Sequence, residues 1–186
     1  MTDEAFAGLV AEHPAVFFEM IAEGELIANP PNYTLHGVRN AVMGAQLADW
    51  AHEDGRGYTF ASVSGFVLPN GARRSADLSW IPRIDIARLS EEELEGYWHL
   101  CPAFVLEQRS YWETLDVLRE RMREWIANGA QLAWLIDPQT CTVEIYRPNQ
   151  EAEILENPTT ITAGDPIAGF ALDLQRVWEP IKTRPS

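Results

Sequence analysis

Ser75-Ala76-Asp77-Leu78-Ser79-Trp80 and Phe104-Val105-Leu106-Glu107-Gln108-Arg109 are the two stretches on which the reading of this chain turns. Each sets a carboxylate on or beside a short apolar run. Phe104 to Leu106 reads as a central strand, and Ala76 to Ile81 as another strand. A lone carboxylate is costly to bury, so each acid calls for a partner or a cation. Two carboxylates on adjacent strands can share a hard divalent ion such as Mg²⁺. Such an ion lowers the pKa of a bound water and neutralises charge on a phosphoryl group. The separation, 107 − 77 = 30 residues, leaves room for a loop and a return strand. On spacing alone the plainer reading prevails: two strand-end acids, each paired with an arginine.

Outward from these strands, helices and strands interleave. Thr2-Asp3-Glu4 opens a helix with Phe6, Leu9 and Val10 on its apolar face, ended by Pro14. Val16 to Ala28 reads as a hairpin turning at Ala22-Glu23-Gly24. Thr34 is placed as the cap of a second helix that runs to about Glu53. Short strands follow at Tyr58 to Ser62 and Gly65 to Leu68, with a turn at Pro69-Asn70-Gly71. Ser90-Glu91-Glu92-Glu93 opens a short acidic helix or loop, read as solvated. A third long helix spans about Trp112 to Ala127, with Leu115, Leu118, Met122, Trp125 and Ile126 as its buried stripe. Leu132 to Ile136 is a second apolar strand, Thr142 to Tyr146 its hairpin partner, and Glu153 to Glu156 an edge. The pattern predicts a mixed α/β domain, a twisted mixed sheet flanked by helices. We read residues 1–186 as one domain with its core at about 4–178.

Hydrophobic residues make up 46% of the chain and aromatics 10%, enough for a real core. No apolar run reaches the roughly 20 residues of a membrane span, and the acidic N-terminal stretch lacks a signal peptide's positive charge. Cys101 and Cys141 fit no disulfide framework or metal knuckle and read as buried thiols, so a cytoplasmic setting is expected. The formal net charge of −14 weighs against duplex binding, which relies on basic stripes. Arginines gathered at the mouth of a cleft could offset that charge, and Arg73 with Arg74 are the candidates. The only lysine is Lys182. No phosphate-cradling glycine loop or serine nucleophile motif is present, which disfavours nucleotide-cofactor chemistry.

The run Gly65 to Gly71, then Asp77 to Trp80, then Cys101-Pro102 and the strand to Glu107, resembles a family of bacterial proteins labelled putative restriction endonucleases. Gly24 to Ile27, His36, Trp125 to Gly129, Leu132 to Pro138 and Thr142 to Pro148 are similar to the same family, so the resemblance covers roughly Glu4 to Trp178. It implies a PD-(D/E)XK nuclease fold, with Asp77 and Glu107 binding Mg²⁺ or Mn²⁺ and the Gln108 carbonyl assisting. It implies nucleic acid as substrate. It also implies site roles for Glu19 in the first hairpin and His36 at the start of the second helix.

That family expects a lysine two residues after the glutamate or displaced onto the following helix. Arg109 and Arg121 stand at those positions. Arginine cannot serve as a general base, but it can orient a phosphate or stabilise developing negative charge. Ala76 replaces the usual proline, and Tyr111-Trp112 stand where the family has small residues. We read that pair as filling the pocket, with base stacking as the second reading. Two functions stay open: a metal-dependent nuclease, and a degenerate member acting as a binding protein, expected as a homodimer.

Overall fold

The computed structural model describes residues 1–29 and 33–181, so Lys182 lies outside the described residues. In chain order the first half comprises α1 (Asp3–Glu12), β1 (Phe17–Met20), β2 (Leu26–Asn29), α2 (Thr34–Asp54), β3 (Gly57–Ala61), β4 (Phe66–Val67), β5 (Arg73–Arg74) and β6 (Leu78–Pro82). The short helices α3 (Arg83–Ile86) and α4 (Glu91–Leu94) precede β7 (Phe104–Gln108), α5 (Leu115–Ala127) and β8 (Leu132–Asp137). Then come β9 (Thr142–Tyr146), β10 (Glu153–Glu156), β11 (Thr160–Thr162), β12 (Ala171–Asp173) and α6 (Gln175–Trp178).

Six strands form the central sheet in the order β10-β9-β8-β7-β6-β3. All its pairs are antiparallel except β7 with β8, where α5 supplies the crossover that a parallel pair requires. Strands β7 and β8 are buried throughout, which is why both read as near-continuous apolar runs. Alternation along β7 divides its side chains between two packed layers. Phe104 and Leu106 meet Met43, Leu47 and Ala51 of α2 on one face. Val105 meets Leu118, Met122 and Trp125 of α5 on the other. The same alternation sends Glu107 toward α5 and Gln108 toward α2. A second sheet, β2-β1-β5-β4, pairs Met20 with Arg73 and so carries Glu19 to the segment that precedes β6.

Several expectations need correction. Thr34 is the first helical residue of α2, not its cap; Tyr33 takes the cap position without a side-chain hydrogen bond. Helix α5 starts at Leu115 rather than near Trp112, and Trp112 stands 69% exposed. Strand β6 starts at Leu78: before it, the Ser75 N–H donates to the Glu19 carboxylate, and the Gln108 N–H of β7 donates to the Asp77 side chain instead of to a strand partner. Arg73 and Arg74 are not a surface patch. Arg73 is buried between the Phe6 and Tyr97 rings and pairs with Asp3, while Arg74 pairs with Glu124. Cys101 and Cys141 are free thiols and only half buried. Among the described residues no helix is long and apolar enough to cross a membrane.

Candidate active site

Beyond the ends of β1 and β7 lies a cleft of about 770 Å³. Glu19, His36, Asp77, Glu107, Gln108, Arg109 and Arg121, all seven residues singled out in the sequence, line it. They arrive from both layers of the fold, and the two layers hold the two principal acids differently.

Asp77 is held from the α2 side. Its Oδ2 accepts the backbone N–H of Gln108 at 2.8 Å, which fastens the start of β6 to the end of β7. Its Oδ1 accepts Asn40 Nδ2 at 2.8 Å and lies 3.2 Å from His36 Nε2. Gln108 Nε2 lies 2.9 Å from His36 Nδ1. With the amide donating there, the proton of the neutral imidazole sits on Nε2 and points at Asp77. His36 therefore orients the carboxylate.

Glu107 is held from the α5 side. Its Oε1 accepts Trp125 Nε1 at 3.0 Å, and its Oε2 stands 3.9 Å from Arg121. Burial pushes the Glu107 carboxyl up to about 8; Asp77 and Glu19 add repulsion, while Arg121 and the Trp125 hydrogen bond pull the other way. Arg121 also lies 3.8 Å from Glu19 and 3.4 Å from Glu113. Burial works against its charge, but Glu107, Glu19, Glu113 and Asp77 outweigh it and hold the guanidinium more firmly protonated than usual. Glu19 accepts the Ser75 N–H at 2.9 Å and the Asn29 amide at 3.3 Å, with Arg74 at 3.6 Å behind it.

Arg109 lines the same cleft, but its guanidinium is taken up elsewhere. It donates to Asp137 at 2.8 Å and to the Glu113 carbonyl at 3.0 Å. Arg121 is thus the arginine set among the acids. Tyr111 and Trp112 do not fill the cleft. They stand 66% and 69% exposed at its mouth, so the pocket-filling reading is corrected.

The reading of the sequence did not include Asn40, Asn29 or Glu113 and took Trp125 only as core. Asn40 was findable: it lies one helical turn after His36 and shares its face. Trp125 gave no separate signal, since its ring packs in the core while its N–H serves Glu107.

Oxygen donors of this kind suit a hard divalent cation. Two buried amide oxygens beside Asp77, Asn40 Oδ1 and Gln108 Oε1, have no donor partner, and Glu107 Oε2 has only the distant Arg121. Among the described residues no group of three or more His, Cys, Asp or Glu is gathered as a metal cluster. The fit therefore rests on Asp77 and Glu107, with amide oxygens on the Asp77 side.

A sequence profile of the family described as "Uma2: Putative restriction endonuclease" matches residues 3–175. Among solved structures, the chain resembles a crystal structure of a putative nuclease belonging to DUF820 from Anabaena variabilis ATCC 29413. The TM-score is 0.74 at 20% identity, over 87% of this chain and 89% of that one. No curated protein matches.

Proposed function

The chain belongs to the Uma2 family, described as putative restriction endonucleases, and from that membership we propose that it is a metal-dependent phosphodiesterase acting on nucleic acid. The observation that carries this reading is the meeting of Asp77, Glu107, Glu19 and Arg121 in one cleft. Asp77 and Glu107 would hold Mg²⁺ or Mn²⁺, which when bound supplies an activated water and charge neutralisation at the phosphoryl group.

The protein's own groups do the rest. Asn40, His36 and the Gln108 N–H fix both oxygens of Asp77 before any ligand arrives. Trp125 fixes one oxygen of Glu107 and leaves the other facing Arg121. Arg121 carries a permanent positive charge that stabilises negative charge on a bound phosphate. It cannot accept a proton from water, so it does not take over the base role of a lysine. The test is cleavage of labelled single-stranded and duplex oligonucleotides with Mg²⁺ or Mn²⁺ against EDTA. We expect metal-dependent products that Asp77→Ala abolishes; no products, or products indifferent to Asp77→Ala, would contradict the reading.

A second reading is favoured by that same arginine. With Arg121 among the acids, the protein keeps the cleft and binds its ligand, but hydrolysis is slowed or lost. Binding without cleavage distinguishes it.

A further inference from the structure

The rim of the cleft differs from its floor. Phe17, Tyr33, Leu35, Val63, Tyr111 and Trp112 all line it and are all exposed, between 38% and 81%. Three of them form one aromatic cluster. The Tyr111 and Trp112 rings are 4.9 Å apart at 87°, while Tyr33 lies 6.1 Å from Tyr111 and 5.7 Å from Trp112 at intermediate tilts. Exposing large rings to water is unfavourable, and such patches mark binding surfaces. Two rings at right angles make a corner, which seats one flat ring and offers little to the broad face of a helix or sheet.

The charge below the rim narrows the occupant. Three arginines, Arg39, Arg109 and Arg121, line the cleft against four acids, Glu19, Asp77, Glu107 and Glu113. That is close to balance in a chain of net charge −14. Arg39 makes no ion pair among the described residues; its Nε donates to the Val177 carbonyl. A ligand with a flat ring and an anionic group one step away matches the exposed rings and Arg39, since Arg109 and Arg121 are already paired with acids.

Building on the proposed function, we propose that Tyr33, Tyr111 and Trp112 form a stacking platform for an unpaired nucleobase, so that the cleft takes single-stranded nucleic acid in preference to duplex. A base within a duplex is already stacked on both faces and has no free face for the corner. Base–aromatic stacking is also indifferent to base identity, so weak sequence preference follows.

Fluorescence anisotropy with a labelled single-stranded oligonucleotide and its duplex, in EDTA and again in Ca²⁺, tests this on the full chain. We expect the wild type to prefer the single strand. Trp112→Ala should weaken that binding by about 5- to 160-fold, the span that stacking supplies per base. Trp112→Phe should restore most of it. Trp112 is the one exposed tryptophan among the described residues, so stacking should also quench its fluorescence. Single-strand affinity unchanged by Trp112→Ala would overturn the platform while leaving the proposed function in place. Wild type that binds no oligonucleotide would remove both. Single-strand binding that depends on Trp112, without any cleavage, keeps the platform and overturns only the hydrolysis. A dimer that Trp112→Ala converts to monomer in sedimentation would assign the patch to a second copy of this chain and overturn the platform.

Discussion

Two of the arginines of helix α5, Arg119 and Arg121, each face a buried glutamate on the same sheet, yet the two pairs are built in opposite ways. Arg119 grips Glu144 with both ends of its fork, at 3.0 Å and 2.6 Å, and Tyr146 adds its hydroxyl at 2.6 Å. Burial raises the Glu144 carboxyl, but the Arg119 and Tyr146 hydrogen bonds outweigh it and hold it below the usual range. Arg121 stands off from Glu107 at 3.9 Å, too far for a hydrogen bond. Glu107, with only the Trp125 N–H donating to it and with Asp77 and Glu19 nearby, is pushed up to about 8. A buried acid with every lone pair answered is part of the frame. A buried acid left half answered, among other acids and in a cleft, is where a ligand has something to supply.

The largest expected effect breaks the comparison at its arginines. Arg121→Lys places a titratable amine beside Glu107 and should raise metal-dependent cleavage on the order of 10²-fold, the low end of what a positioned general base contributes. Arg119→Lys should leave cleavage unaltered. Steady-state cleavage of one oligonucleotide checks both, and an unchanged rate in Arg121→Lys would show that the missing base is not what limits the site.

Next in size is the effect on stability. Glu144→Gln removes charge-assisted hydrogen bonds that are fully formed, so we expect a loss of about 1–3 kcal/mol in denaturant unfolding. Glu107→Gln should cost less near neutral pH, because burial already opposes the ionised form it replaces. Equal losses at the two positions would erase the distinction.

The smallest effect is one of sign with pH. Glu107 has a folded-state value above the ordinary one near 4.5, so its stabilisation is fully present below about 4.5 and is lost as pH rises through about 8. Glu144 has a lowered value, so its stabilisation is present above the ordinary range and is lost as pH falls through the folded value. Melting temperature against pH, taken as the difference between wild type and each glutamine variant, should therefore slope in opposite directions. Parallel slopes would contradict this.

Much of the fold was legible because its long elements keep one period. Leu118, Met122 and Trp125 recur at helical spacing, and Leu132 to Ile136 is an unbroken apolar run. What was missed is short: β5, β11, β12 and α3 span two to four residues each, too few for a period to register. The acids of the site were legible as carboxylates on strands, and the resemblance chose between a cation and an arginine as their partner. Which arginine faces them was not. Alternation put Arg109 on the Glu107 side of the sheet, but Asp137, at the end of the parallel neighbour β8, draws its guanidinium away. Tyr111 and Trp112 were misplaced because nothing local says that α5 begins only at Leu115, which leaves both rings in the loop at the rim.

The central claim is that Asp77 and Glu107 form a cation site while Glu144, equally buried, belongs to the frame. Calorimetric titration of Mn²⁺ and Mg²⁺ into the wild type, Asp77→Ala, Glu107→Ala and Glu144→Gln tests it directly. We predict binding in the wild type and in Glu144→Gln, lost in both alanine variants. No binding to the wild type, or binding that survives in both alanine variants, would contradict it.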